Sequence, residues 1–312
     1  MTDSAATPSG DLLDLRGNPS RRRKEAVIYR AFQGAALFSV LISSLIVFSL
    51  LGRAIVFATS VDLGSLWTAG WFPRRGDYDI KTIVAGTLLI SGIAMTVAAP
   101  LGLGAAIYLS EYAKPRLRRT LKPILEILAG VPSVVLGYFA ITWINPQIVQ
   151  RLWSEAGFFT MAASGIAVGV LVTPLVASVA EDAFRSVPQT LREGSNGLGA
   201  RKRVTTLRVV FPAAISGIVA ALILGISRAI GETMIVAIAS GATGGSLFSI
   251  DPSAPGQTMT AAMTSLAIGS DQVRGEANTF ESLYFVGMIL FLMTLALNVL
   301  SDRFVRRVRQ KY

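Results

Sequence analysis

The chain of 312 residues is 52% hydrophobic and only 15% charged, whereas a soluble globular domain carries about 25% charged residues. This composition is typical of membrane proteins. The chain contains no cysteine and no histidine, which excludes disulfides, thiolate nucleophiles, Cys/His zinc sites and histidine acid–base catalysis. We therefore predict no catalytic residues, no metal site and no cofactor.

The chain begins with a polar, basic segment. Residues 1–30 are predicted to form a disordered basic cytoplasmic tail. Residues 31–80 are predicted to contain the first transmembrane helix and an outer loop. A basic cluster before an apolar run resembles a signal peptide, but the run is long and no cleavage site ends a short apolar core. We therefore expect the first helix to be retained.

Six apolar segments are long enough to cross a hydrocarbon core, which needs about 20 helical residues. They lie near residues 33–58, 82–109, 123–144, 159–180, 213–240 and 283–301. The sequence therefore predicts an all-α integral membrane protein with six transmembrane helices. In the third segment Gly130, Pro132 and Ser133 are expected to break or kink the helix. Glu126 is expected to reach the interface or to pair with a basic residue such as Arg119.

Basic residues are concentrated in alternate connecting segments. Of the 29 lysines and arginines, 22 lie in the N-terminal tail, after the second span, after the fourth span and in the C-terminal segment. Basic loops stay in the cytoplasm, so both termini, including a tail at 304–312, are predicted to be cytoplasmic in a multi-pass plasma (inner) membrane protein. The net charge of +10 is then an orientation signal and a contact for membrane lipids, and no nucleic-acid partner is expected.

The cytoplasmic loop after the fourth span reads PQTLREGSNGLGARKRVTTLRVVFP over residues 188–212. Its composition indicates a surface helix, a glycine-rich turn and a basic amphipathic stretch. Pro188 is suited to a helix start, and Gly197 and Gly199 permit a turn with positive φ. An amphipathic connector lying on the membrane surface is one interpretation of these residues.

The same loop resembles the cytoplasmic signature of the membrane subunits of ABC importers. That signature is a Glu followed by two small residues, then a Gly, then an apolar stretch ending in Pro. The matching residues are Glu193, Gly194, Ser195, Gly199 and Pro212, and the spacing fits at every position. Glycine and serine replace the commoner alanines, and valine and phenylalanine replace the commoner isoleucine and leucine before the proline.

This resemblance implies a coupling helix near 188–200 that docks into a groove of a separate ATP-binding cassette ATPase subunit. Small residues let two backbones approach closely, Glu193 offers a charge contact, and the glycine turn can transmit motion into the fifth span. The chain has no Gly-x-x-x-x-Gly-Lys-Ser/Thr phosphate loop of its own. It is therefore predicted to be no enzyme, with the ATPase on a partner chain.

Two further stretches resemble phosphate importer permeases. Residues 100–140 are similar to their second and third spans, and SRAIGETMIVAIASG at 227–241 is similar to their fifth span. The run from Gly231 to Met234 and the run from Gln257 to Thr260 resemble the PstC type more than the PstA type. The resemblance implies a permease domain at 81–303 with a type I ABC importer (MetI-like) fold.

The same resemblance implies a function and a set of partners. The function is ATP-driven import of inorganic phosphate by alternating access. The implied partners are ATP-binding cassette ATPase subunits, a second related permease of the PstA kind forming a heterodimer, and an external phosphate-binding protein. Outside this reading, the alternatives are a permease for sulfate, molybdate or phosphonate, and an ion-coupled secondary transporter that uses Glu232 as proton carrier.

Two ionisable residues lie within the fifth apolar segment. Arg228 and Glu232 are four residues apart, so they can pair on one helix face. Charges at bilayer depth are costly and usually face a cavity or pathway, although a purely structural pair is the alternative. A guanidinium suits phosphate because it stays charged and offers a planar fork of donors. We predict a substrate pathway at Arg228, Glu232 and Thr233, in which Glu232 satisfies Arg228 between transport events.

Overall fold

The computed structural model of the chain describes residues 19–67, 70–241, 244–268 and 277–308. The helices of this described part are α1 Pro19–Ser60, α2 Ile80–Ile107, α3 Pro115–Ala129, α4 Ser133–Phe139, α5 Gln150–Leu152, α6 Met161–Ser186, α7 Gln189–Gly197, α8 Lys202–Thr205, α9 Phe211–Ile230, α10 Met234–Ala239, α11 Met259–Ala267 and α12 Ala277–Val308. The π-helical segments Tyr108–Tyr112, Ala140–Val149 and Thr206–Val210 continue α2, α4 and α8. Single 3₁₀ turns cover Leu63–Trp67 and Pro73–Arg75.

A small antiparallel sheet was not predicted from the sequence. It consists of β1 Gly70–Phe72, β2 Asp77–Tyr78 and β3 Ser246–Leu247 in the order β2-β1-β3, with Trp71 opposite both Tyr78 and Ser246. Two of these strands have only two residues each. Hydropathy patterns detect long spans but carry little signal for strands this short.

The N-terminal segment differs from its prediction. Residues 19–30 were expected to belong to a disordered tail, but α1 begins at Pro19 and they are helical. Arginine, lysine, glutamate and alanine in this stretch favour helix, so the helix of the first span continues beyond its apolar run. Residues 1–18 lie outside the described residues. Among the described residues, 19–49 belong to one compact unit, and those from Leu50 onward belong to the second.

Five helical stretches are long and apolar enough to cross a membrane. They are Lys24–Ser60, Ile80–Tyr112, Met161–Ser186, Lys202–Ile230 and Asn278–Arg303. A sixth is completed by Pro115–Ala129 and Ser133–Leu152 when this pair of helical arms, bent by 85°, counts as one span. The predicted all-α, six-span architecture is thereby confirmed.

The third span was predicted as one broken or kinked helix over residues 123–144. The structure instead has two separate helical arms, which meet at a sharp bend. Gly130 ends α3, and Pro132 precedes the first residue of α4, Ser133. The break lies where the sequence predicted it, because proline disfavours helical geometry in the residue before it. None of the residues of α3 is buried, and its charged and apolar residues lie on different sides, so this arm is amphipathic. The third span therefore consists of two helical arms, an amphipathic α3 and α4 with its π-helical extension.

Helices α2, α6 and α9 pack closely at the centre of the second unit, where glycines allow their backbones to approach. A methyl group on Gly169 of α6 would lie 2.7 Å from the carbonyl oxygen of Ala94 in α2. A methyl group on Gly102 of α2 would lie 2.8 Å from Val176 Cγ1 of α6. Close approach through small residues is the usual way in which transmembrane helices associate.

We expect Gly169→Ala to destabilise the protein by about 1–3 kcal/mol, the usual cost of overpacking a close contact. Gly92→Ala on the exposed side of α2 is the matched control, because nothing lies within 4 Å of its added methyl group. The thermal unfolding midpoint in detergent should fall for Gly169→Ala and stay level or rise for Gly92→Ala. Equal midpoints would show that this helix contact is less tight than the structure indicates.

Candidate functional site

The helix of the fifth span does not run unbroken to residue 240 as predicted. It ends at Ile230, and the chain passes through Gly231, Glu232 and Thr233 before α10 begins. The two charged residues therefore lie at a break in the helix and not in its middle. Freed backbone groups at membrane depth must find partners, and such broken helices line cavities in transporters.

Arg228 and Glu232 form the ion pair that their spacing predicts. The Nη1 of Arg228 donates to Glu232 Oε2 at 2.9 Å. The side chain of Glu232 is 3% exposed, whereas that of Arg228 is 48% exposed. The carboxylate is thus anchored inside the protein, while about half of the Arg228 side chain is exposed.

A buried polar cluster holds the helix break in place. Thr260 Oγ1 donates to the carbonyl oxygen of Glu232 at 2.8 Å. Thr258 caps the start of α11, where its Oγ1 accepts from the N–H of Ala261 at 3.2 Å. Helix α11 follows directly, at Met259–Ala267. The first turn of α11 carries Thr260, whose side-chain hydroxyl binds the backbone carbonyl of Glu232 at the break.

Thr233, the third predicted pathway residue, lies beside the pair. Its hydroxyl donates to the carbonyl of Gly231 at 3.3 Å, and its own carbonyl accepts from Ala237 N–H at 2.9 Å. The side chain is half-buried. The structure therefore brings Arg228, Glu232 and Thr233 together on one short segment.

The loop that contains residues 251–254 contacts the start of α6 through backbone hydrogen bonds. The backbone N–H groups of Met161 and Ala162 donate to the carbonyls of Ala254 at 3.0 Å and Pro252 at 2.8 Å. Hydrogen bonds from the side chain and then from the backbone of Ser253 lower the pKa of Asp251, which keeps the loop turn charged. The first N–H groups of α6, which lack helical partners, are thus satisfied by the loop.

The predicted coupling segment forms a separate site at the other end of α9. Helix α7 spans Gln189–Gly197 and so falls within the expected range of 188–200. Glu193 and Gly194 are exposed, and nothing lies within 4 Å of a methyl group added to Gly194. Gly199 has φ +78°, the left-handed geometry that glycine adopts without strain.

The remaining signature residues connect α7 with the fifth span. Ser195 Oγ lies 2.9 Å from Thr205 Oγ1, and Pro212 lies in the first turn of α9. The helical stretch Lys202–Ile230 separates this site from Arg228, a span of about 40 Å at 1.5 Å per residue. The two predicted groups of site residues therefore lie near opposite ends of one long helical stretch.

One ionic cluster was missed by sequence analysis. Glu181, which is 1% exposed near the end of α6, accepts a short hydrogen bond from Arg118 and pairs with Lys122 at 3.4 Å. Lys122 also contacts Asp182 at 3.3 Å. Glu126 was expected to reach the interface or to pair with a basic residue such as Arg119; it is exposed, and among the described residues no ion pair is found for it. The basic residues Arg118 and Lys122 of α3 pair instead with Glu181 of α6, a helix more than fifty residues later in the chain.

The described residues contain no group of three or more acidic side chains that could hold a metal ion. The chemistry available at the helix break is that of a half-exposed arginine side chain, a buried carboxylate and a hydroxyl. Groups of this kind are suited to charge-assisted hydrogen bonds with an oxyanion. This set offers no nucleophile activated by a neighbouring base.

Comparisons with known proteins agree with this architecture. Residues 98–311 match the family described as binding-protein-dependent transport system inner membrane component. The chain is 34% identical over 256 residues to phosphate transport system permease protein PstC 1 of Mycobacterium tuberculosis, covering 76% of this chain and 75% of that protein. It is 30% identical to phosphate transport system permease protein PstC of Haemophilus influenzae, covering 89% and 93% of the two chains.

Solved structures show the same fold at low sequence identity. A bacterial alginate ABC transporter, solved with its periplasmic protein bound to an alginate pentasaccharide, matches with a TM-score of 0.63 and 14% identity, over 92% of this chain and 98% of that chain. The inward-facing MetNI methionine ABC transporter matches with a TM-score of 0.54 and 18% identity, over 74% and 94%. The MetI-like fold expected from the sequence is thereby confirmed.

Proposed function

Because this chain belongs to the family of binding-protein-dependent transport system inner membrane components, we propose that it is the subunit through which an ATP-driven importer moves inorganic phosphate into the cytoplasm. The chain is a non-catalytic, multi-pass inner membrane permease of an ABC transporter, and ATP hydrolysis belongs to a separate subunit. The relatives named as phosphate transport permeases support the choice of phosphate.

The observation that carries the proposal is the half-exposed side chain of Arg228 beside a helix break. A lone arginine at this depth would be costly when empty, and it would hold an anion tightly. Glu232 reduces both the cost of the empty site and the tightness of anion binding, because its carboxylate accepts a hydrogen bond from Arg228 Nη1 at 2.9 Å. An arriving phosphate competes with this carboxylate for the guanidinium, and the carboxylate reclaims it when the phosphate leaves. The Thr233 hydroxyl offers an additional hydrogen bond along the path.

A second permease is needed to complete the pathway. In this chain alone 48% of the Arg228 side chain is exposed. A charged group facing lipid at this depth is unfavourable, whereas one facing a water-filled path between two proteins is not. We propose that a related, PstA-like permease covers this side and that alternating access arises from relative motion of the two subunits.

The exposed face of α7 is proposed to be the contact for the ATPase. Glu193, Gly194, Ser195, Gly199 and Pro212 carry the importer signature, and Glu193 and Gly194 are exposed. This assignment places α7, the basic segments and both termini on the cytoplasmic side. A binding protein that delivers phosphate is then expected on the opposite face.

Reconstitution tests this function. The complex of this chain with its ATPase, partner permease and binding protein should take up radiolabelled phosphate into proteoliposomes only when ATP is supplied. A protonophore should leave uptake unchanged, because no ion gradient drives it. Uptake that requires a proton gradient would favour an ion-coupled transporter instead. Selective uptake of sulfate, molybdate or phosphonate over phosphate would favour a different oxyanion.

A further inference from the structure

One arginine of the proposed coupling helix α7 attaches it to the ends of α2 and α6. Arg192 Nη2 donates to Glu111 Oε1 at 2.9 Å, and both side chains are largely buried. Its Nη1 donates to the carbonyl of Val187 at 2.6 Å, and its Nη2 also donates to that of Phe184 at 2.7 Å. These carbonyls lie at the C-terminal end of α6, where helix carbonyls lack helical partners.

Arg192 therefore connects α7 with the ends of two transmembrane helices. Glu111 lies in the π-helical segment that continues α2, and the two carbonyls belong to the end of α6. The attachment toward the fifth span is a neutral one, in which Ser195 and Asn196 contact the hydroxyl of Thr205 at 2.9 and 3.2 Å. A buried ionic contact resists displacement more strongly than neutral hydroxyl contacts do.

The other end of α2 contacts the segment that holds the helix break. The N–H of Met259, at the start of α11, donates to Thr87 Oγ1 at 3.0 Å in a buried contact. One residue later, Thr260 donates to the carbonyl of Glu232. Gly86, the residue before Thr87, lies so close to the Gln257 carbonyl that an added methyl group would be 2.4 Å from its oxygen, a distance that side chains essentially never show.

These contacts form a continuous physical route from the coupling helix to the proposed phosphate site. We infer that α2 transmits displacement of α7 to the Arg228–Glu232 pair, through Glu111 at one end and Thr87 at the other. The helix between these two residues is about 36 Å long at 1.5 Å per residue. Displacing α7 moves Glu111, the motion of α2 shifts Thr87, and Thr260 then repositions the backbone of Glu232. This inference rests on the proposed docking of the ATPase at α7.

A cysteine probe beside the helix break tests the route. The chain contains no cysteine, so Met234→Cys, at a side chain that is 38% exposed just after the break, gives it a unique thiol. In the assembled complex, the rate at which a small maleimide labels this chain is measured with and without ATP. We expect ATP to change this rate, and we expect Glu111→Gln or Thr87→Val to reduce the change by about 2- to 30-fold, the range for residues that carry coupling.

Two control variants make the same substitutions, Glu to Gln and Thr to Val, at positions outside the proposed route. Glu126→Gln removes an exposed cytoplasmic carboxylate, and Thr96→Val removes a hydroxyl of α2 that bonds only within its own helix, to the Ile93 carbonyl. Both should retain the full ATP effect. Glu111→Asp, which keeps the carboxylate, should restore most of it. The variant with both Glu111→Gln and Thr87→Val should fall no further than the stronger single variant, since both act on one route.

Each other outcome overturns the inference. It is wrong if ATP alters labelling equally in the Thr87→Val and unsubstituted backgrounds, if ATP has no effect on labelling at all, or if the double variant is additive. Thr87→Val leaves the ionic contact intact, so it decides the question even where Glu111→Gln fails to assemble. Phosphate uptake measured on the same preparations separates the two proposals. An ATP effect on labelling without phosphate uptake contradicts phosphate as substrate and leaves the route standing.

Discussion

Replacing Arg228 with glutamine is expected to lower ATP-driven phosphate uptake by about 10- to 150-fold, which corresponds to losing a charge-assisted hydrogen bond of about 1.5–3 kcal/mol. Glutamine retains a hydrogen-bond donor but loses the charge and the fork that match phosphate oxygens. It also leaves the buried carboxylate of Glu232 without its 2.9 Å partner. The initial rate of phosphate uptake into proteoliposomes, at saturating ATP and with equal amounts of assembled complex, measures the effect.

A matched arginine in the same protein separates this role from general loss of charge. Arg53 Nη1 contacts Glu281 Oε1 at 3.3 Å, and its guanidinium also lies 4.7 Å from the ring centre of Tyr284. Arg53→Gln removes an arginine–glutamate pair away from the helix break and should leave uptake within about twofold, as expected for a partly exposed pair. If Arg228→Gln transports phosphate as well as Arg53→Gln does, the pair at the break is only structural.

Glu232 should show a different kinetic pattern. Glu232→Gln removes the carboxylate that competes with phosphate, so the phosphate concentration for half-maximal uptake should fall together with the maximal rate. A loss of maximal rate alone would indicate that Glu232 positions the backbone and does not compete for Arg228.

The architecture could be predicted from the sequence because bilayer crossing demands long apolar helices. Six runs of this kind are visible by composition, and Gly130 and Pro132 mark the break in the third one. The break at Gly231–Thr233 was missed because apolar residues continue on both sides of it. Its geometry depends on a tertiary contact, the hydrogen bond from Thr260 to Glu232, which lies 28 residues away in the chain.

Among the site residues, contacts between residues close in the sequence could be predicted, whereas contacts between residues far apart in the sequence could not. The Arg228–Glu232 pair follows from a four-residue spacing, so it could be predicted. The Arg192–Glu111 and Arg118–Glu181 pairs join residues 81 and 63 positions apart, and nothing in the sequence alone selects these partners among many charged residues. Basic residues in the loops predicted to be cytoplasmic were interpreted as an orientation signal, yet several of them form ion pairs that join helices.

Gly194→Leu is expected to weaken binding of the ATPase subunit by about 30-fold or more, the loss typical of blocking a central contact of about 2 kcal/mol. Nothing lies within 4 Å of a methyl group added to Gly194, so the chain itself has room for the start of a larger side chain. Leucine also favours helix over glycine by about 0.8–1 kcal/mol, so α7 should be strengthened. Any loss of binding then arises because the larger side chain keeps the partner at a distance.

The comparison with a second glycine makes this result decisive. Gly104 of α2 is exposed and likewise has nothing within 4 Å of an added methyl group. Gly104→Leu should leave ATPase binding unchanged, because this residue lies outside the cytoplasmic loop. The measurements are titration of the purified ATPase against the reconstituted permease and the thermal unfolding midpoint of each variant. If Gly194→Leu binds the ATPase as tightly as Gly104→Leu does, α7 is an amphipathic surface connector and the ATPase contacts another part of the cytoplasmic face.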